Sequence, residues 1–173
     1  MNHDMIDFET ATKGDHNKFI DHFPQNGDLT LQVLKGHLLL EELLREIFLM
    51  QLPLPSALSG NKGTSFECHQ IICLIEAMTP HSQTVPWIWV AAKKLNNVRN
   101  ELAHRLNPKG LESKVADLVK YVKSESPEIS DAESALGIPK GNEFTVVIVV
   151  MCSCLASLKP VLEQHVKTTG KRA

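Results

Sequence analysis

The sequence predicts an all-α protein, an up-and-down bundle of about five helices. Several segments carry apolar residues at spacings of three and four, as amphipathic helices do. Polar stretches rich in proline and glycine separate these segments, as expected of short connections. With 173 residues, 43% of them hydrophobic, the chain can form one sizeable core. We expect one helical domain over residues 28–166, preceded by a partly helical extension, residues 1–27, and followed by a tail, residues 167–173.

The first helix is predicted from the leucine-rich segment "LQVLKGHLLLEELLREIFLMQL", residues 31–52. Either Asp28 or Thr30 is suited to cap its start, because both side chains can accept a hydrogen bond from a free backbone amide. The apolar surface is wider than one stripe, which indicates packing on more than one side. Glu41 and Arg45 have the spacing of a helical ion pair.

Two further helices follow a loop that contains two prolines and two glycines, residues 53–65. The pattern in "FECHQIICLIEAM" predicts the second helix from about residue 65, with Thr79-Pro80 closing it. Pro86 is suited to the first turn of the third helix, "WIWVAAKKLNNVRNELAHRL". Asn107-Pro108 then ends that helix.

The C-terminal part is predicted to hold the last two helices. The segment "LESKVADLVKYVKS", residues 111–124, is amphipathic, and a polar connection extends to residue 142. Residues 144–150 are β-branched and could form a strand. However, the apolar pattern continues to Leu162, so length favours a helix, kinked near Pro160.

Composition argues against a metal site, a cofactor and a membrane segment. The four cysteines, Cys68, Cys73, Cys152 and Cys154, show no zinc-ligand spacing, and the pair Cys68-His69 lacks further ligands nearby in the sequence. The longest uncharged apolar run, Phe144–Leu158, is shorter than the roughly 20 residues that cross a bilayer. The N-terminus has no secretory signal pattern. We therefore expect a reduced, cytoplasmic protein.

Positive charge is concentrated in one region. Residues 93–123 contain eight Lys or Arg against three acidic residues, a net charge of +5, so the remainder of the chain carries −7 and the whole chain −2. Such a run is usually a solvated helix face. The alternative is a local nucleic-acid surface, for which the candidate residues are Lys93, Lys94, Arg105 and Lys109.

The segment "VRNELAHRL" holds the candidate catalytic residues Arg99, Asn100 and His104. On an ideal helix Asn100 and His104 lie about 40° apart, whereas Arg99 and His104 diverge by about 140°. A shared site therefore requires either that the Arg99 side chain curl around the helix or that a second copy contribute across a twofold axis. A guanidinium that binds phosphate and an imidazole that transfers protons suit metal-independent attack of a ribose 2′-hydroxyl on its phosphodiester.

"RNELAH" resembles the Arg-polar-x-x-x-His signature of the HEPN superfamily (higher eukaryotes and prokaryotes nucleotide-binding), and "GHLLLEELLREIF" resembles the long first core helix of those domains. The resemblance implies a homodimeric helical bundle with both motifs in one cleft, often a metal-independent endoribonuclease used as a toxin or in phage defence. It implies that Arg99 binds the scissile phosphate, that His104 transfers protons and that Asn100 orients one of them or the substrate. Expected partners are RNA, a second copy and a cognate antitoxin or regulatory protein. In those toxins that are paired with a minimal nucleotidyltransferase, the motif continues as His-x-Tyr. This chain has Leu106 at the position of the tyrosine, which argues against an antitoxin that modifies that tyrosine.

The alternative function is a non-catalytic helical adaptor or transcriptional regulator, similar in outline to the mannitol-operon regulators, acting through dimerisation on the apolar face of residues 31–52. Three other side chains have two interpretations each. His37 could face the same cleft beside Glu41 or be a core histidine. Trp87 and Trp89 could stack on bases, although the start of an amphipathic helix favours packing.

Overall fold

The computed structural model describes residues 23–24, 28–58, 66–80, 82–104, 109–126, 129 and 142–169, with side chains of the last helix as far as Gln164. Within these ranges the chain forms α-helices and no strand, which confirms the all-α class. The α-helices are α1 (Leu29–Met50), α2 (Cys68–Met78), α3 (Pro86–His104), α4 (Leu111–Glu125) and α5 (Glu143–Thr169), with 3-10 turns at Pro55–Leu58 and Ser82–Thr84. Residues 144–150 lie in α5, so the helical interpretation is correct.

The helix starts follow the local signals in the sequence. Asp28 is the residue before α1, and its Oδ1 accepts a hydrogen bond from the backbone amide of Thr30 at 3.1 Å. This contact satisfies one of the amides that a helix start leaves free. Pro86 opens α3 as expected. Helix α2 begins later than predicted, after Glu67, whose backbone amide donates to Gln70 Oε1 at 3.0 Å.

Helices α1 and α3 organise the bundle. Helix α1 packs against α2, α3 and α5, and α3 packs against all four other helices. A Cβ on Gly36 would lie 3.0 Å from Ile148 Cδ1 and 3.3 Å from Phe23 Cε2, so this glycine allows α1 and α5 to approach closely. Phe23 is itself buried. The described end of the predicted N-terminal extension therefore packs on the core.

Both tryptophans lie in the core at the start of α3. Trp89 is fully buried, and its Nε1 donates a hydrogen bond to the backbone oxygen of Ser82 at 3.1 Å. Trp87 is 8% exposed. Because neither ring face is open, the packing interpretation is correct and base stacking on these residues is excluded.

Helix α5 is the longest helix of the described chain and contains a long apolar segment. An 18-residue window within Glu143–Gln164 has a mean hydropathy of 2.1, and the segment is long enough to cross a membrane by length and composition alone. The core of a bundle produces the same pattern, and Ile148, Met151 and Leu155 are buried where α5 packs on α1, α3 and α4. The helix continues through Pro160 to Thr169, beyond the predicted domain boundary at residue 166.

Candidate active site

The predicted catalytic residues border a polar cleft where α1, the start of α2 and the C-terminal half of α3 meet. The cleft has a volume of about 380 Å³ and is lined by His37, Glu41, Arg45, Phe66, Glu67, Cys68, His69, Asn96, Arg99, Asn100 and His104. Arg99 and His104 thus share one cleft within a single chain, although ideal helix geometry separates them. The two residues leave the helix in different directions, and the conformations of their side chains bring them to one site.

Arg99 supplies the guanidinium at this cleft. Its Nη1 donates a hydrogen bond to Asn100 Oδ1 at 3.2 Å, so the side chain bends toward the Asn100 side of α3. Among the described residues Arg99 forms no ion pair. His104 is exposed and is the last residue of α3. The arrangement offers an uncompensated planar cation and an accessible imidazole.

His37 lies at the buried base of the cleft beside Glu41 and is at the same time a buried, hydrogen-bonded histidine of the core, so its two interpretations coincide. It is 2% exposed, and its Nε2 lies 3.1 Å from Oδ1 of Asn96. Burial is the main cause that lowers the pKa of His37 below its usual 6.5, and the charges of Arg99 and Arg45 act in the same direction. The hydrogen bond to Asn96 and the charge of Glu41 oppose this shift. His37 is therefore neutral at pH 7.

Arg45 also lines the cleft, although sequence analysis treated it only as a helix-surface partner. Its Nη2 and Nε donate to Glu41 Oε1 at 2.5 and 3.1 Å, and Nη2 also donates to the backbone oxygen of Phe66 at 3.2 Å. These contacts confirm the predicted pair and connect α1 to the residues before α2. Because Glu41 compensates Arg45, Arg99 is the better site for an added anion.

Cys68 is another cleft residue that the sequence did not assign to the site. In the sequence Cys68 stands next to His69, whereas the structure places its thiol beside His37 and Glu41, with one ligand atom from each within 4.8 Å of the others. Burial raises the pKa of Cys68 to about 11, with a further contribution from Glu41, so the thiol is protonated at neutral pH. No local motif signals this contact, because α1 and α2 are separated by a long loop.

The predicted nucleic-acid lysines on α3 lie outside the cleft lining. Lys93 Nζ bonds Glu76 Oε2 at 2.6 Å. Lys94 Nζ lies 5.4 Å from the centre of the Tyr121 ring, within range of a cation–π contact. Part of the local positive charge is therefore engaged in contacts between helices, as expected of a solvated surface with paired charges.

The other two nucleic-acid candidates follow α3 in the sequence. Lys109 is exposed in the turn before α4 and does not line the cleft. Arg105 lies outside the described residues, as does the Asn107-Pro108 stop. The nucleic-acid-binding role of both residues remains a prediction from the sequence.

Comparisons with protein-family models, with curated proteins and with solved structures found no match. The HEPN resemblance therefore depends on the "RNELAH" motif and the pattern of the first helix. What the cleft can do follows from its own side chains.

Proposed function

We propose that this chain is a metal-independent endoribonuclease of HEPN type, a cytoplasmic toxin or phage-defence effector with a composite site in a homodimer. The observation that carries the proposal is the common cleft of Arg99, Asn100 and His104. An uncompensated guanidinium, an amide and an accessible imidazole are groups that suit cleavage of RNA at its own 2′-hydroxyl.

Arg99 binds the scissile phosphate in this mechanism. A guanidinium presents paired N–H donors that match two phosphate oxygens, and its charge stabilises the extra negative charge of the pentacovalent transition state. Asn100 accepts a hydrogen bond from Arg99 Nη1 and so restricts the guanidinium. Asn100 is therefore a positioning residue.

His104 transfers the protons. The 2′-oxygen loses its proton as it attacks phosphorus, and the departing 5′-oxygen gains one, which leaves a 2′,3′-cyclic phosphate and a 5′-hydroxyl. One imidazole cannot fill both roles at the same moment. A second copy of the cleft across a twofold axis supplies the second His104, which is the chemical reason to propose a dimer.

An apolar strip on α1 supports association. Leu31, Leu34 and Leu38 are 44%, 37% and 58% exposed, and their spacings of three and four place them on one side of the helix. Exposed leucines in such a row are typical of an interaction surface. The strip suits the proposed homodimer.

The test is cleavage of structured RNA in EDTA by the wild type and by the variants R99A and H104A. Loss of the proton-transfer group is expected to reduce the rate by about 10² to 10⁴. Loss of the phosphate-binding cation is expected to reduce it by about 10² to 10³. Lys120, which is exposed on α4 and is not part of the cleft lining, provides the matched control K120A, which is expected to keep full activity.

Thermal unfolding of each variant shows whether activity was lost with the fold. Arg99 is half-buried and His104 exposed, so both variants are expected to unfold close to the wild type. Absence of cleavage by the wild type on every structured RNA tried, or equal cleavage by all four proteins, rejects the proposal. Growth arrest on expression, relieved by H104A, is the expected result for a toxin.

The second candidate is a non-catalytic adaptor or transcriptional regulator, favoured by the same exposed leucine strip. It predicts an association that H104A leaves intact and that the strip variant L38E removes. Light scattering of the eluting protein measures this directly. Association without any RNA cleavage supports the adaptor.

A further inference from the structure

We propose that His37, Glu41 and Cys68 bind one Zn²⁺ ion at the base of the cleft. The three residues come from α1 and α2, and one nitrogen, one oxygen and one sulfur lie within 4.8 Å of each other. This set suits zinc, which takes imidazole, carboxylate and thiolate ligands. Mg²⁺ and Ca²⁺ prefer oxygen ligands alone. The proposal is independent of the ribonuclease proposal.

The hydrogen-bonding state of His37 leaves one ring nitrogen available as a metal ligand. Oδ1 of Asn96 only accepts hydrogen bonds, so the 3.1 Å contact assigns the ring proton to Nε2 and leaves a lone pair on Nδ1. This Nδ1 is buried without a hydrogen-bond partner and faces Glu41 Oε2 at 3.5 Å. Two acceptors facing each other repel. A metal ion between them satisfies both.

The surroundings hold the ligands in orientation. Asn96 holds the His37 ring, and Arg45 binds Oε1 of Glu41, which leaves Oε2 for the metal. Outer contacts of this kind fix metal-binding histidines and carboxylates. The 3.5 Å between Nδ1 and Oε2 fits the separation of about 3.3–3.8 Å that tetrahedral bonds of 2.0–2.3 Å require. The three ligand atoms lie within 4.8 Å of one another, so they must move closer together to form a tetrahedral set around one ion.

The proposed site has an entry path and an open position. All three ligands line the cleft, so an ion can reach them from solvent. Three protein ligands leave one position of a tetrahedral ion for water. A thiolate and a carboxylate balance the two charges of Zn²⁺, which reduces repulsion from Arg45 and Arg99.

Titration of the EDTA-treated, reduced and desalted full chain with Co²⁺ tests the proposal without RNA. Binding through Cys68 is expected to produce the near-ultraviolet thiolate-to-cobalt absorption band, with one Co²⁺ per chain, and Zn²⁺ is expected to abolish the band. Calorimetry with Zn²⁺ is expected to give the same stoichiometry, and Mg²⁺ is expected to produce no heat. C68S is expected to remove the band, and E41Q to weaken Zn²⁺ binding by about 10-fold or more.

Cys73 provides the matched control, because it is exposed on the same helix and its Sγ lies 3.7 Å from His69 Nε2. C73S is expected to retain the band and the affinity. Loss of the band in C73S assigns the metal to His69 and Cys73 and overturns the proposal. No band in the wild type, or undiminished Zn²⁺ affinity in folded E41Q, also overturns it. If C68S does not fold, E41Q and C73S decide the outcome.

Discussion

The hydrogen bond between His37 and Asn96 connects α1 to α3 beneath the cleft, and its removal is the sharpest test of the structure. The two side chains are 2% and 3% exposed, and the bond is 3.1 Å long. In N96L the His37 Nε2 donor stays buried without a partner. Such a donor costs about 1–3 kcal/mol, more than the bond's net contribution of about 0.5–1.5 kcal/mol. We expect N96L to lower the free energy of unfolding by about 1–3 kcal/mol.

The double variant separates the bond from other effects of the substitution. H37L alone leaves the Asn96 amide unpaired and is expected to lower stability by a similar amount. In H37L/N96L neither polar group remains, so the loss is expected to be smaller than the sum of the single losses by about 1 kcal/mol or more.

Urea unfolding followed by far-ultraviolet circular dichroism, in EDTA and reductant, measures all four proteins. The slope of the free energy of unfolding against urea concentration should be the same for all four proteins, because the surface exposed on unfolding is unchanged. Losses that add to within about 0.5 kcal/mol would refute the reasoning, since residues that do not interact behave in that way.

Three further predictions concern stability. In metal-free protein, unfolding becomes easier as the pH falls below 6.5, because the unfolded chain binds a proton that folded His37, with its lowered pKa, does not bind; H37L should reduce this slope in urea titrations at several pH values. G36L should destabilise by about 1–3 kcal/mol, because its side chain must displace Ile148, and a chain as stable as the wild type contradicts the close approach. W89F leaves the Ser82 oxygen without its 3.1 Å partner and should cost about 1–3 kcal/mol, measured by thermal melting.

The fold was predictable because its signals are local. Apolar periodicity located the five helices, Asp28 was one of the two candidate caps for α1, and Pro86 marked the start of α3 correctly. The start of α2 was predicted near residue 65, which is too early. The residue that caps this helix is Glu67, and its first residue is Cys68. For residues 144–150, β-branched composition and helical length conflicted, and packing of α5 in the core resolved the conflict.

The cleft was only partly predictable. Arg99, Asn100 and His104 are close in sequence, so spacing on one helix brought them to attention. The bond between His37 and Asn96 joins residues 59 positions apart, and its existence depends on which faces of α1 and α3 meet. The sequence pattern defines an apolar face but not the rotation of one helix against another. Contacts across helices therefore required the structure.

Helix α3 divides into two parts with different constraints. Its first half carries Trp87 and Trp89 inside the core, while His104 lies exposed at its far end. A single codon change at position 104 would thus silence the proposed chemistry and leave a folded chain. In the proposed homodimer, such a silenced copy produced beside an active one would form mixed dimers that hold a single His104, and the proposed mechanism expects these mixed dimers to be inactive.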